Sequence, residues 1–203
     1  MVERVDRRRV FEEYAYVLDF LPQGYPHDRR PLFKRDPICQ AVGERYFSLL
    51  ELVMVKGVEV KVCERLFVGR GFRLKVRYVN RKLSYDELTA AAKAELPRVI
   101  SAIVDANPER FVRFFNEARP VTNRLHQLEL LPGVGKKTMW KILEEREKAP
   151  FRDFEDLAKR VGLKKAKEIV EKRIELELQC GERNYLFVLP HCKKPGQYIY
   201  YDY

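Results

Sequence analysis

The chain has 203 residues, 46% of them hydrophobic, and its 40 Lys plus Arg against 30 Asp plus Glu give a formal net charge of +10. No run approaches the roughly 18 apolar residues that a membrane helix needs, and the N-terminus lacks the apolar segment of a secretory signal, so we expect no membrane partner and a cytoplasmic location. The length suffices for one large domain or two small ones with real cores, and the basic surplus suits a polyanionic partner.

Residues 1–83 have the pattern of a small β-domain. The predicted strands are short, rich in apolar residues and separated by glycine turns. They cover residues 14–21, 46–55, 58–62 and 72–78. Short twisted strands of this kind predict an OB-like or S1-like five-stranded β-barrel, a module that binds nucleic acid along one face.

The last of these strands has one entirely basic face, because side chains alternate across a strand. The outward residues are expected to be Arg73, Lys75 and Arg77, and the inward ones Phe72, Leu74, Val76 and Tyr78. A basic strand can follow a nucleic-acid backbone, or it can simply discourage edge-to-edge aggregation. The candidate stacking residues are Tyr14, Tyr16, Tyr46 and Phe47, although aromatic residues on strands more often belong to the core.

A helical connector is predicted over residues 84–119. Ser84 and Glu87 form a capping box at the start of an alanine-rich helix, which Pro97 is expected to kink or divide. Asn107 and Pro108 open a second helix. The buried face of this second helix is predicted to consist of Phe111, Phe114 and Phe115.

Residues 131–138, LPGVGKKT, are the most informative stretch of the chain. Gly133 and Gly135 can take positive φ without a Cβ clash, so that successive amides point the same way and form a cradle for an anion. A helix then begins, and its N-terminal dipole adds to the attraction. Its first residues are Lys136, Lys137 and Thr138. An ordinary helix end followed by solvated lysines is the alternative interpretation.

A further helix is predicted before this hairpin, since Val121, Leu125 and Leu128 recur at helical spacing and Thr122 is a plausible N-cap. Helix, glycine hairpin and helix together resemble the helix-hairpin-helix motif of DNA-repair, recombination and RNA-processing proteins. The consensus hairpin of that motif is Leu-Pro-Gly-Val/Ile-Gly followed by a basic residue. A Walker P-loop is excluded, because it needs four residues between its first glycine and the Gly-Lys pair.

A second, degenerate helix-hairpin-helix is predicted downstream. Asp153 caps a helix that ends at Gly162, and another helix begins at Lys164. This turn has one glycine where the first has two, so fewer amides can point at a phosphate. Lys164, Lys165 and Lys167 are candidate contacts, with a solvated helix start as the alternative.

The last predicted module, residues 184–203, is a terminal β-hairpin. Its strands cover residues 184–189 and 198–202, joined by a loop that contains prolines and a glycine. Isolated two-stranded hairpins are rarely stable, so we expect its tyrosines to dock on another part of the protein rather than to stack on bases.

Enzymatic functions are one class of alternative. Helix-hairpin-helix DNA glycosylases with lyase activity carry a nucleophilic lysine at the place of Lys137, but they also carry an aspartate where this chain has Glu155 in a run resembling a helix N-cap. A Mg²⁺-dependent nuclease needs grouped carboxylates, and the acidic run near Glu155 is better explained by the dipole of a helix start. The four cysteines are scattered without a Cys-x-x-Cys pair. We predict no catalytic residue, no metal and no cofactor.

Taken as a whole, the chain resembles an archaeal family of unknown function that combines an OB-like or S1-like N-terminal region with a C-terminal helix-hairpin-helix region. The segments that carry the resemblance are QAVGERYFSLLEL (residues 40–52), SYDELT (84–89), FVRFFN (111–116) and RLHQLELLPGVGKK (124–137). The resemblance implies nucleic-acid binding that involves RNA, and it implies no established activity.

The sequence therefore predicts an α+β multidomain protein with modules at residues 1–83, 84–119, 120–183 and 184–203. We predict non-catalytic, largely sequence-independent nucleic-acid binding, with RNA favoured over DNA. A protein-interaction or assembly module is a further alternative, and the sequence does not determine the oligomeric state. The predicted nucleic-acid contacts are Gly133, Val134, Gly135, Lys136, Lys137, Thr138, Gly162, Lys164, Lys165, Arg73, Lys75 and Arg77.

Overall fold

A curled antiparallel sheet of five strands forms the N-terminal part of the computed structural model, which describes residues 11–189 and the backbone of residues 197–198. The strands are β1 (Tyr14–Leu21), β2 (Ile38–Gly43), β3 (Leu49–Met54), β4 (Arg65–Phe67) and β5 (Val76–Lys82). Their order in the sheet is β4-β1-β2-β3-β5, so the sheet is a half-barrel with β4 and β5 at its two edges.

The two faces of this sheet bury different cores. Along β1, Ala15 and Val17 belong to a small apolar cluster on one face, whereas Tyr16 and Leu18 belong to the main core on the other. This alternation is the period of two that a strand imposes. The main core is shared with helix α1 (Ala90–Ala106), which packs against β1.

The predicted and the observed strands of the sheet differ in several places. The sequence pattern missed β2, because all six of its residues are buried and show no alternation. The predicted strand over residues 58–62 is wrong, since this segment is a loop that follows a turn at Gly57, where φ is +82°. The last strand begins at Val76 instead of residue 72, after a bend at Gly71, where φ is +125°.

Because the last strand starts late, the predicted inward positions of Phe72 and Leu74 are wrong. Their side chains are 88% and 76% exposed. Val76 is buried in the small apolar cluster as predicted, whereas Tyr78 is 42% exposed.

The helical connector follows the prediction except at its start, because the predicted capping box does not open α1. The Ser84–Glu87 capping box closes a 3-10 turn (Tyr85–Glu87), and Thr89 then caps α1 by accepting a hydrogen bond from the Ala92 amide at 3.0 Å. Pro97 lies inside α1 and does not divide it. Helix α2 (Pro108–Glu117) begins at the predicted proline, and its three predicted phenylalanines are fully buried.

The helix predicted before the first glycine hairpin is wrong. Residues 120–126 form two short antiparallel strands, β6 (Pro120–Thr122) and β7 (Leu125–His126), followed by a 3-10 turn (Gln127–Leu130). Gln127 fixes this conformation through two hydrogen bonds to the backbone of Arg119. Its side-chain oxygen accepts from the Arg119 amide at 2.7 Å, and its backbone N–H donates to the Arg119 carbonyl at 3.1 Å.

Three further helices complete the described fold: α3 (Lys136–Lys148), α4 (Phe154–Val161) and α5 (Ala166–Leu178). The predicted cap at Asp153 is confirmed, since its carboxylate accepts from the Asp156 amide at 2.7 Å. The predicted end of α4 at Gly162 is also confirmed. Helix α5 begins at Ala166, two residues later than predicted.

The predicted antiparallel terminal hairpin is wrong. The strands β8 (Asn184–Tyr185) and β9 (Gln197–Tyr198) pair in parallel over two residues each. The predicted tyrosine contacts at residues 200, 201 and 203, and the side chain of Tyr198, lie outside the described residues. Residues 185–189 are buried, so this part of the tail docks on the rest of the protein.

One hydrophobic core joins the segments that the sequence divides at residues 83, 119 and 183. It contains side chains of β1 to β3, of all five α-helices and of residues 185–188. Phe111 and Phe114 of α2 contact Phe187 with ring centroids 5.7 Å and 5.1 Å apart. Within the described residues, no helix is long and apolar enough to cross a membrane.

Candidate nucleic-acid interface

The first hairpin is anchored by two buried side chains. Leu131 and Val134 are 2% and 5% exposed, and the Val134 amide donates to the Leu131 carbonyl at 3.1 Å to close the turn. Gly133 adopts the predicted positive φ, at +78°. Gly135 does not, because it is the extended N-cap of α3, with φ −89° and ψ 176°. Its carbonyl accepts the first helical hydrogen bond, from the Met139 amide at 2.9 Å.

The N-terminus of α3 faces open space. A Cβ atom added to Gly133 or Gly135 would meet no heavy atom within 4 Å. Gly135 supplies no side-chain cap, the first turn holds no acidic residue, and the amides of residues 136–138 have no acceptor among the described residues. Free N–H groups at a helix start bind anions, so this surface can hold a phosphate.

Two lysines flank this helix start. Lys136 and Lys137 are exposed and form no ion pair with any residue that the structure describes. Thr138 is half-buried at the next position. The hairpin therefore combines unpaired amides with unneutralised positive charge.

The second hairpin lies beside the same helix. Gly162 ends α4 in the left-handed conformation, with φ +85°, and the amine of Lys141 on α3 lies 3.9 Å from the position that a Cβ atom at Gly162 would occupy. Lys164 and Lys165 are exposed and have no carboxylate partner in the described part of the chain. Lys167 differs, since its amine lies 2.5 Å from Asp105 and 3.6 Å from Glu171.

A buried arginine supports the first hairpin from behind. Arg173 on α5 is 3% exposed, and its guanidinium donates to the carbonyl of Leu130 at 3.0 Å, one residue before the hairpin. It also donates to Glu177 at 2.8 Å, to Glu182 at 2.8 Å and to the carbonyl of Asn184. The guanidinium thus joins the hairpin to α5 and to the C-terminal segment.

Glu177 completes this network. It is fully buried and accepts hydrogen bonds from three successive amides of the tail at 2.7 to 2.9 Å. The donors are the amides of Leu186, Phe187 and Val188. Sequence reasoning missed both charged residues as site supports. Their i,i+4 spacing is typical of an exposed helical pair, and only their burial reveals the role.

The predicted basic stripe of the half-barrel is not a stripe on one strand. Arg73 and Lys75 precede β5, and only Arg77 lies on it. The Lys75 amine lies 2.5 Å from Glu64, and the Arg77 guanidinium lies 3.5 Å from Asp36. Arg73 donates to the Gly69 carbonyl at 2.8 Å. Their role as nucleic-acid contacts stays a prediction.

Most of the candidate stacking residues are core residues. Tyr16, Tyr46 and Phe47 are 8%, 8% and 0% exposed, and Tyr14 lies under the Arg65 guanidinium, 3.4 Å from the ring centre. The three most exposed aromatic rings of the described residues lie elsewhere, and the sequence pattern predicts an inward position for one of them, Phe72. They are Phe72 at 88%, Phe33 at 75% and Trp140 at 65% exposure.

The acidic run near Glu155 serves helix α4. Asp153 caps the helix, Glu155 lies 3.5 Å from Lys159, and Asp156 lies 3.3 Å from Arg160. The Arg152 amide and the Arg160 guanidinium lower the pKa of Asp156. Among the described residues, no three His, Cys, Asp or Glu side chains are grouped so that they could hold a metal ion.

Comparisons with known proteins give one family and two relatives. The family model described as "Protein of unknown function (DUF655)" matches residues 11–189. The chain is 47% identical over 180 residues to the uncharacterized protein MJ0038 of Methanocaldococcus jannaschii, covering 88% of this chain and 80% of that protein. It is similar to the crystal structure of Af1531 from Archaeoglobus fulgidus, at 47% identity and a TM-score of 0.78, covering 90% of this chain and 97% of that one.

Proposed function

Because the chain belongs to the DUF655 family of proteins of unknown function, we propose a function from its surface chemistry: non-catalytic binding of nucleic acid, with phosphates held at the first hairpin. The observation that carries this proposal is the open start of α3. There, amides without an acceptor lie beside the exposed Lys136 and Lys137, which have no ion-pair partner among the described residues. In this proposal the hairpin and α3 are the second half of a helix-hairpin-helix unit, in which the 3-10 turn (Gln127–Leu130) stands where the motif has its first helix.

The second hairpin adds charge to the same side of α3. Lys141 reaches Gly162, and Lys164 and Lys165 follow that turn, so both hairpins contribute positive charge. Contacts of lysines and amides with phosphates position a protein without reading bases. Binding is therefore largely independent of sequence and weakens steeply with salt.

The half-barrel contributes a second basic surface and is OB-like in this proposal. Its five antiparallel strands and its open side suit that partly open barrel type. The exposed Phe72 lies between Arg70 and Arg73 in the loop that joins β4 to β5. RNA is the favoured ligand because the resemblance to the archaeal family implies it, and DNA is the alternative.

The first test measures binding by fluorescence anisotropy. Labelled single-stranded RNA, structured RNA and duplex DNA are titrated with the protein at roughly 50 mM and 200 mM salt. We expect binding to RNA at low salt and a large loss at high salt. Absence of binding to every probe at low salt would refute the proposal.

The second test places a side chain in the cradle. In Gly135→Val the new Cβ atom meets no heavy atom within 4 Å and the backbone is extended, so the side chain can occupy the space that a phosphate needs. We expect affinity to fall about ten- to hundredfold, as for loss of one or two charge-assisted hydrogen bonds.

The matched control is Gly181→Val, because Gly181 also faces open space and has no positive φ. It should leave affinity unchanged. Valine is a poorer N-cap than glycine, so thermal unfolding is recorded for both variants to show that the fold is kept. If both variants bind as tightly as the wild type, the first hairpin is not the phosphate site.

The lyase alternative is tested with labelled abasic DNA and RNA, incubated with and without borohydride. A lyase that uses Lys137 forms a Schiff base with the abasic sugar, and borohydride traps it as a covalent adduct. We expect neither an adduct nor a cleavage product. Either one would overturn the non-catalytic proposal.

A further inference from the structure

Trp140 presents an exposed indole beside the first hairpin. It is the one tryptophan of the sequence, and it is 65% exposed, although tryptophan is highly buried on average. On the same helix, Met139 and Ile142 are buried in the main core. Trp140 therefore lies on the opposite face of α3, turned away from the protein.

The neighbours of this indole are positive. Lys136 precedes Trp140 by one helical turn on the same face, about 6 Å along the axis, and Lys137 and Lys141 lie on the adjoining face. Residues 131–143 contain no Asp or Glu. A flat apolar ring in such surroundings suits a ligand that carries a π-face within one residue of a phosphate.

We propose that Trp140 stacks on an unpaired nucleobase whose phosphate is held at the start of α3. This rests on the proposed function and narrows its ligand to nucleic acid with unpaired bases, such as single strands and loops. In a continuous duplex each base is stacked between its neighbours and offers no face to a side chain. In a single strand every base has a free face, and aromatic side chains stack on it without regard to sequence.

The test uses the tryptophan fluorescence of the full chain, excited at the long-wavelength edge of the indole band where the 11 tyrosines do not absorb, so that it reports on Trp140, the one tryptophan. A single-stranded oligouridylate and a blunt duplex RNA of the same length are titrated, and anisotropy of the labelled RNA is followed in parallel. We expect the single strand to change the intensity or the emission maximum of Trp140, and the duplex to leave both unchanged.

Two variants complete the experiment. Trp140→Ala should weaken binding of the single strand about 5- to 150-fold and leave the duplex affinity unchanged, whereas Trp140→Phe keeps a ring and should retain most of the affinity. Both replace an exposed side chain, so the fold is expected to persist, and circular dichroism checks this.

The outcomes separate the two proposals. Binding of the single strand with unchanged tryptophan emission and with no loss in Trp140→Ala would overturn the stacking proposal and leave the phosphate site standing. Equal losses for single strand and duplex would overturn the restriction to unpaired bases. Failure of every RNA and DNA probe to bind would overturn both.

Discussion

Gly133 and Gly135 lie two residues apart and meet different requirements. At Gly133 the backbone is left-handed, with φ +78°, and a residue with a Cβ atom costs roughly 1–2 kcal/mol there. At Gly135 the backbone is extended, so any residue could adopt it, and the absence of a side chain matters only because it leaves the space before α3 empty. Gly133 thus permits the turn of the hairpin, and Gly135 leaves the start of α3 accessible to a ligand.

His126 makes the support of this hairpin sensitive to pH. It is 7% exposed, and its Nδ1 accepts a hydrogen bond from the Leu128 amide at 3.1 Å, which only the neutral ring can do. Burial, together with the nearby Arg146 charge, lowers the pKa of His126 below its ordinary 6.5. Between the two pKa values the unfolded chain binds more protons than the native one, so stability falls as the pH falls below 6.5.

We therefore expect the free energy of unfolding to decrease between pH 7.5 and pH 5 by more in the wild type than in His126→Asn. Asparagine can accept the same amide hydrogen bond and does not titrate. Urea unfolding followed by circular dichroism at several pH values measures the difference. Parallel pH curves for the two proteins would show that His126 is not the titrating group.

At the scale of elements, those that are bounded by local signals could be predicted from the sequence, whereas a strand that depends on distant partners could not. The caps at Thr89 and Asp153 and the glycine at the end of α4 act within three or four residues, and the helices they bound lie close to where sequence patterns place them. β2 depends on its partners β1 and β3, which lie elsewhere in the chain. The β6–β7 pair is local, and it was missed because its apolar residues recur at helical spacing. Ile38 to Gly43 is buried on both sides, so it shows no alternation to find.

The sequence predicts Lys136 and Lys137 as candidate phosphate contacts, but it does not predict which side chains surround them. Glycine spacing and a basic pair identify the segment around Gly133, and the structure leaves Lys136 and Lys137 exposed. The support by Arg173 and the exposure of Trp140 follow from packing, which a single sequence does not specify. For the same reason, the alternation of basic residues along the chain does not predict that Lys75 and Arg77 form ion pairs.

The sequence predicts N-caps at Asp153 and Thr122, but in the structure only Asp153 caps a helix. This difference gives a prediction at the scale of one helix. Asp153→Ala should lower the free energy of unfolding by about 1 kcal/mol, because Asp153 caps α4. Thr122→Ala should cost less than about 0.5 kcal/mol, because Thr122 caps no helix and, among the described residues, its hydroxyl accepts from the exposed Arg124 amide alone.

Urea unfolding of the two variants under one set of conditions provides the comparison. Similar losses for both would mean that residues 121–131 form a helix capped by Thr122. A loss confined to Asp153→Ala supports the strand pair β6–β7 in that region.

At the scale of the whole molecule, the half-barrel and the helical region share one core. Tyr16, Leu18 and Phe47 lie in the same apolar cluster as Phe111 and Phe187. The N-terminal sheet and the hairpin surface are therefore held in a fixed relation, with no division of the core between them.

Arg173 is a buried charged residue that joins the hairpin, α5 and the tail, so its loss should be costly. Arg173→Met removes the hydrogen bonds to the hairpin and the tail and leaves Glu177 buried beside an apolar side chain. We expect a loss of about 3–5 kcal/mol in the free energy of unfolding, measured by urea denaturation. A loss near zero would mean that Glu177 is held by the three tail amides alone.

The matched control for this prediction is Arg98→Met. Arg98 forms an ion pair with Glu95 at 3.1 Å, but its side chain is 66% exposed. An exposed pair of this kind contributes about 0.5 kcal/mol or less. The contrast between the two variants isolates burial as the cause.

The attachment of the hairpin to Arg173 also has a consequence for protein synthesis. Leu130 meets Arg173 across 43 residues of sequence, and Glu177 is held by amides of residues 186–188. On the ribosome, N-terminal segments emerge first, so the lysines beside the hairpin are made well before the residues that fix it in place. A nascent chain that ends at residue 181 therefore carries the positive charge of the hairpin lysines before the hairpin is fixed in its final conformation. At that stage it lies next to the ribosome, which consists largely of RNA.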